Sequence, residues 1–401
     1  MDLSLTPEYE AYRDEVRAFI RKEWKGTKGL DREQRRHAER DFRLKAIAAG
    51  YLYRGVPKKY GGAEQAPDPI RGNIIREEFR AARAPHEIAN PSVQMLVPTL
   101  LEHGSEWQKE KFITATIMGD IQWAQGYSEP GAGSDLASLR TKGELIDGHW
   151  VINGQKIWTT LAHHSQFMYA LVRTEPEAPK HAGISYILLD MKAPGITIRP
   201  LKQATGASEF CEVFFDNVKT PADWIVGERG KGWTTVSRST LKHERNMIGG
   251  TTRLDATFSS LVGLAGRVTI AGKPAIKDPV IRERLATIHG YIESMRYSTL
   301  RQMSMELRGQ EGGMFGTMTK LAGTEVNAAI AKLARDLIGD DLLLEPPVEG
   351  GLVKSGDATG RRGEEQWVAQ FLTSLAMSIA GGSSNIQRNI IAERGLGLPR
   401  G

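Results

Sequence analysis

The sequence predicts an α+β multidomain protein in three consecutive parts: helices over residues 1–120, an all-β module over 121–231, and helices again over 232–401. Three observations carry this. Apolar residues recur at helical spacing before Asp120; short β-branched and aromatic runs parted by Gly, Pro and Asp turns follow; helical spacing returns from Gly232 to the end. A chain of 401 residues can bury a core in each part.

In the first part, TPEYEAYRDEVRAFIRKEW offers Thr6 as N-cap, Pro7 at the first helical position and acids in the first turn. Tyr9, Tyr12, Val16, Phe19 and Ile20 give one apolar face. Further helices are expected over 31–49, 69–84, 91–103 and 105–118, with RGVPKKYGGAEQAPD (54–68) a loop by its Pro and Gly content. In the second part, IQWAQGYS, HWVINGQKIWTT, QFMYALVRT, GISYILLDM, ITIRPL and EFCEVFFDNV read as strands. The third part is helical apart from loops near 270–277 and 342–351.

Composition narrows the function. The chain is 40% hydrophobic and 25% charged with a net charge of +5 and no dense Lys/Arg run, so nothing points to nucleic acid, and a small polyanion suits the charge equally well. One cysteine, Cys211, excludes an intrachain disulfide and a Cys-based zinc site; its strand context suits packing. The N-terminus is acidic and amphipathic, unlike a signal or transit peptide, and no apolar run approaches the roughly 18 residues of a spanning helix. A cytoplasmic protein that does not enter a membrane is the expectation.

Several motif-like stretches fail on spacing. Gly131-x-Gly133 has Leu136 at the third position of a dinucleotide fingerprint, and GRVTIAGKP (266–274) puts Pro where a P-loop needs Ser or Thr. His86-Glu87 continues as HEIAN rather than HExxH, and His163-His164 suits solvated turn residues better than metal ligands.

Four stretches remain. YSEPGAGSD (127–135) ends the first β segment in a tight turn whose N–H groups, with the Ser128 and Ser134 hydroxyls, suit carbonyl or phosphate oxygens; an ordinary β-turn reads the same way. QKIWTT (155–160) sets the Trp158 face beside the Thr160 hydroxyl, a combination for a flat heteroaromatic group or, equally, a Trp packed in a β core. STLKHERNMIGG (239–250) carries Glu244 and Arg245 next to Leu241, Met247 and Ile248, either a solvated face or a half-buried functional acid. Near the end, Gly381-Gly382-Ser383-Ser384 breaks a helical pattern that resumes as IQRNIIAER; the new N-terminus can seat an anion or polar cofactor group, or simply make a surface turn.

Taken in order, EPGAGSD (129–135), WTT (158–160) and SSNIQRNIIAERGLGLPR (383–400) resemble the acyl-CoA dehydrogenase family, and the layout matches over essentially the whole chain. The resemblance implies a middle β-barrel-like domain, a C-terminal four-helix bundle and an FAD cofactor. It implies that Ser128 contacts the flavin, that Trp158 lies against its ring and that Thr160 bonds its N5, with Tyr127, Thr159, Ser383 and Asn385 in the same cofactor-binding set. Ser134, Arg245, Gly381 and Gly382 fall to substrate binding.

The implied reaction is α,β-dehydrogenation of an acyl-CoA to a trans-2-enoyl-CoA, with electrons passed to an electron-transfer flavoprotein. It needs a carboxylate to take the α-proton. Most members place it in the C-terminal break as E-G-T, where this chain has Gly381; a minority places it in an L-x-x-E-R context, here Leu241-Lys-His-Glu244-Arg245. Glu244 is therefore the expected base, and the Gly381 N–H remains able to bind the thioester carbonyl.

One departure stands out. The family's Q-x-x-G-G loop has no counterpart in LARDLIGDDLLLEPPVEGG (333–351), and Arg267 matches the arginine that often joins it only one residue out of register. A homotetramer or a heterotetramer with a paralogous chain is expected. A non-catalytic subunit and a flavin oxidase are the competing readings.

Overall fold

In a computed structural model of the chain, residues 5–88, 90, 92–235, 240–241, 251–310, 314–343 and 364–399 are described. The chain divides into two compact units, Met1–Trp123 and Ala124–Gly401.

The first unit holds α1 (Pro7–Glu23), α2 (Arg32–Ala48), α3 (Pro69–Ala81), α4 (Val97–His103) and α5 (Glu106–Ile117). Thr6 stands at the α1 N-cap with Pro7 behind it, although its hydroxyl makes no capping bond. Tyr12, Val16 and Ile20 are the buried face of α1, and Phe42 and Phe79 bring α2 and α3 into the same core with ring centroids 5.6 Å apart. Arg17 grips Glu78 with two bonds of 2.8 and 3.0 Å, tying α1 to α3. The helix expected over 91–103 begins as a π-helical turn, Ser92–Leu96, before α4. Pro98 explains the wider turn, because it has no N–H for the regular helical bond.

The second unit opens with the β module: β1 (Trp123–Gly126, whose first residue closes the preceding unit), β2 (Lys142–Ile146), β3 (His149–Thr160), β4 (Phe167–Arg173), β5 (Ile184–Asp190), β6 (Ile196–Leu201), β7 (Phe210–Pro221) and β8 (Ile225–Val226). Asp147 and Gly148, both at positive φ, make the two-residue turn between β2 and β3, as an Asp-Gly hairpin requires.

The strands run in the order β6-β7-β3-β2-β4-β5-β8, with β1 on β4. The barrel-like expectation needs correcting: the sheet is open, ending at β6 and at the two-residue β8. Among the described residues the ladder joins its halves through one parallel pair, Lys142 with Arg173. Closure needs a continuous staggered ladder, and one residue pair does not supply it. Trp150 and Ile152 of β3, Val213 and Phe215 of β7, Met168 and Val172 of β4 and Leu189 of β5 instead fill one core.

After the short α6 (Gly232–Thr235) come α7 (Thr251–Arg267), α8 (Pro279–Leu307), α9 (Phe315–Ile338), α10 (Glu364–Met377) and α11 (Ser384–Ile390). A small hairpin, β9 (Thr269–Ile270) with β10 (Lys273–Pro274), occupies the loop expected near 270–277. Helix α9 packs against α7, α8 and α10. Leu261, Ile292, Ile330 and Trp367, one from each, meet in a common core, in keeping with the expected four-helix bundle.

Candidate functional site: two clamped loops

Strand β1 runs into Tyr127 and Ser128, and the chain then turns back on itself. Glu129 and Ala132 exchange backbone bonds of 3.0 Å, so Pro130-Gly131 forms the tight turn read from the motif. The Ser128 carbonyl accepts from Ile157 N–H at 2.9 Å, which lays the loop along β3 just before Trp158.

Trp158 itself is unusual. Its φ is +60°, left-handed backbone that a bulky residue seldom adopts, and it sits where the β3–β7 register slips between Lys156 and Thr159. The bulge turns the indole outward, 58% exposed, and among the described residues its one aromatic contact is edge-on to Phe210 at 6.2 Å. A core-packing role for Trp158 is thereby excluded. Thr160 is half-buried on the same face, while Thr159 points inward with its residue fully buried and its hydroxyl unbonded. An outward aromatic face beside the hydroxyl-bearing Ser128 and Thr160 fits a flat heteroaromatic ring.

Beneath this surface lies an arrangement that the motif reading passed over. Lys156 is fully buried, and its ammonium donates to the Glu129 carboxylate at 2.8 Å and to the Tyr127 carbonyl at 3.0 Å. The other acceptor positions of Glu129 take the N–H groups of Arg140 at 2.6 Å and Thr141 at 2.8 Å. Burial pulls Lys156 down to about 8 despite the Glu129 charge. Glu129, which burial alone would raise, is held below its usual range, mainly by Lys156. A signal existed: Lys156 shares the inward register of Trp150 and Ile152 on β3, and a buried lysine requires a partner.

Tyr127 is buried with Tyr169 and Tyr186, the latter two stacked at 5.8 Å. Burial drives the Tyr186 phenol well above its ordinary range. The fully buried Thr240 lies beside that phenol, four residues before Glu244. Glu244 and Arg245 lie outside the described residues.

The C-terminal break is held by a second buried lysine. Lys320 of α9, fully buried, donates to the carbonyls of Met377 at 3.2 Å and Gly382 at 2.8 Å. Gln387 donates to the carbonyls of Gly381 and Gly382, each at 3.3 Å. Gly381 and Gly382 take φ of +63° and +90°, conformations for which glycine is the natural choice. Ser383 caps α11 by accepting from Ile386 N–H at 3.3 Å, and Asn385 is exposed. Because each peptide is planar and trans, carbonyls drawn toward Lys320 and Gln387 turn the N–H groups of Gly382 and Ser383 the opposite way. Lys320 was also missed, although it falls on the buried stripe of α9 with Thr317, Thr324 and Asn327.

Ser134 is exposed on the loop tip. An open cavity of about 370 Å³ borders that loop, lined by Glu129, Gly131, Arg140, Thr141 and Gln155 among others, but it takes in neither Ser128 nor Trp158. The cavity and the exposed indole are therefore separate features of this face. Cys211 is fully buried, burial pushes its thiol up, and His163 Nδ1 lies 3.1 Å from its sulfur, so His163 is not purely a solvated turn residue. No helix among the described residues is long and apolar enough to cross a membrane.

A helical unit, then an open β module with an outward aromatic, then a bundle with a clamped glycine break agree with the layout that the resemblance to a flavin-dependent family implies. Family models for the acyl-CoA dehydrogenase N-terminal, middle and C-terminal domains match residues 6–120, 124–218 and 230–396. The chain is 38% identical over 404 residues to the acyl-CoA dehydrogenase IpdE1 of Mycobacterium tuberculosis, covering 98% of each. It is also similar to the solved ChsE4-ChsE5 complex of that organism, with a TM-score of 0.76 and 26% identity over 100% of both chains. The Tcur3481-Tcur3483 steroid ACAD matches at a TM-score of 0.76 and 27% identity, again over 100% of both. The chain belongs to the acyl-CoA dehydrogenase family, and FAD as its cofactor goes with that membership.

Proposed function

We propose that the chain converts a bulky, ring-bearing acyl-CoA to its trans-2-enoyl-CoA, with Glu244 as the base, in a heteromer with a paralogous partner, and with an electron-transfer flavoprotein taking the electrons. Trp158 is the observation that carries the cofactor side: an indole held outward at φ +60° on a bulge has little packing to justify its strain, and a flavin ring supplies the missing contact. The substrate class and the heteromer are supported by the likeness to the steroid ACAD pair and to the ChsE4-ChsE5 complex. Gly381, with no side chain where most members carry the acid, agrees with a base supplied from elsewhere and with room for a wide acyl group.

On this reading Ser128 and Thr160 orient the ring edge and Trp158 covers one face. N–H groups of the Gly381–Ser383 break polarise the thioester carbonyl, which acidifies the α-carbon. The Glu244 carboxylate takes the α-proton, and the electron pair of that C–H bond becomes the new carbon–carbon double bond. When bound, FAD supplies the acceptor for the hydride leaving the β-carbon.

The test is to produce the chain alone and with a paralogous partner, count FAD per chain, and add a steroid-derived acyl-CoA anaerobically. Bleaching of the flavin by wild type and its loss in Glu244→Gln, with flavin retained, is the expected result. Undiminished bleaching by Glu244→Gln would remove Glu244 from the role, and bleaching only by short linear acyl-CoAs would remove the substrate class.

A further inference from the structure

We propose that Glu129 and Lys156 are a positioning pair for the flavin: their buried contact sets the spacing of Ser128 and Trp158 without either residue touching the ring. The inference rests on the reading that this face holds FAD.

The geometry is specific. Each residue of the 127–129 segment is fixed from β3: the Tyr127 carbonyl by Lys156, the Ser128 carbonyl by Ile157 N–H, and the Glu129 carboxylate by Lys156 again. Trp158 is the next residue along β3, so the two ring-contacting residues are referenced to the same two neighbours. Arg140 and Thr141 N–H groups hold the carboxylate from the other side, which keeps it from following the lysine if the loop shifts. Such a pair is a poor device for stability alone. Desolvating two charges costs about as much as their attraction returns, and apolar replacements are often neutral or better. What an ion pair adds over apolar packing is a fixed distance and direction, which a cofactor cradle needs.

The pair also separates positioning from folding. Glu129 is the carboxylate facing Lys156, and Arg173 of β4 acts on Glu129 from the adjoining strand. Since the lysine is depressed to about 8 in the folded chain, raising the pH through that value removes its proton from the folded form before the unfolded one. That linkage favours the fold between about pH 8 and the ordinary lysine range. Flavin positioning, by contrast, loses its cation over the same window.

The experiment measures FAD affinity and bound-flavin fluorescence for wild type, Lys156→Met and Glu129→Gln, with the melting temperature of each flavin-free protein. In the variants FAD should bind about tenfold or more weakly, because a buried group loses its partner, and the bound flavin should fluoresce more as Trp158 quenches it less. In wild type, affinity should fall from about pH 7 to about pH 9.5, short of the ordinary lysine range, while the melting temperature shows no matching fall. Should the variants fail to fold, this wild-type series decides. Unchanged affinity and fluorescence in folded variants, or a flat wild-type series, would overturn the pair's role alone. Wild type that binds no FAD, with or without a partner chain, would sink the reading of this face together with it.

Discussion

Among the described residues two lysines are buried under two loops, and they hold the loops differently. Lys156 reaches a carboxylate as well as a carbonyl, and through Glu129 it joins two segments that lie 27 residues apart in sequence. Lys320 reaches main-chain carbonyls at Met377 and Gly382 across 57 and 62 residues, with Gln387 completing the turn. Glu129 of the first clamp can be removed by substitution; the carbonyls that Lys320 reaches cannot be removed without altering the backbone. A side-chain pair sets the distance between side chains, here Ser128 and Trp158, whereas a clamp on carbonyls sets the direction of peptide N–H groups. On the proposed reading a flavin ring uses the first and a thioester oxygen uses the second.

The largest effect that would sharpen this contrast comes from Lys320→Met. It should lower stability by about 2–3 kcal/mol in denaturant unfolding, since two carbonyls lose a charged donor, and it should leave FAD affinity near wild type. A loss of flavin as large as in Lys156→Met would erase the distinction between the clamps. Next, Gly382→Ala meets both a left-handed backbone at φ +90° and Gln387 Nε2 at 2.5 Å from the added carbon. The side chain can swing away only by giving up its long 3.3 Å bonds to the Gly381 and Gly382 carbonyls, and the backbone term of about 1–2 kcal/mol should still be the larger part. A neutral substitution would mean that the break does not require this conformation. The smallest effect belongs to an exposed ion pair, Arg40 with Asp120 at 2.7 Å, 41% and 51% exposed. Arg40→Ala should shift stability by no more than about 0.5 kcal/mol. A loss matching Lys320→Met would show that burial is not what separates the clamps from ordinary pairs.

Much of the architecture was legible beforehand because it depends on local periodicity. The apolar spacing of Tyr12, Val16 and Ile20, the alternation around Trp150 and Ile152, and the apolar stripe of α9 each name an element and its buried face. The motifs carried the family. They did not carry the clamps, because Glu129 and Lys156 were read as parts of two separate motifs, and only pairing across β3 makes them one site. Sheet closure differs from the expectation for the same reason: strand composition is local, whereas the one ladder pair between the halves among the described residues, Lys142 with Arg173, is a matter of register.

The sequence by itself determined the order of helical and β parts, the absence of a disulfide framework, the Gly381 substitution and the family, since each follows from residue identity or short-range spacing. Tertiary structure alone decided that Trp158 faces outward while Thr159 turns in, and that two buried lysines fix the loops around them. Those outcomes depend on a register slip between β3 and β7 and on contacts across tens of residues. Backbone pairing sets such distances only when the chain is folded.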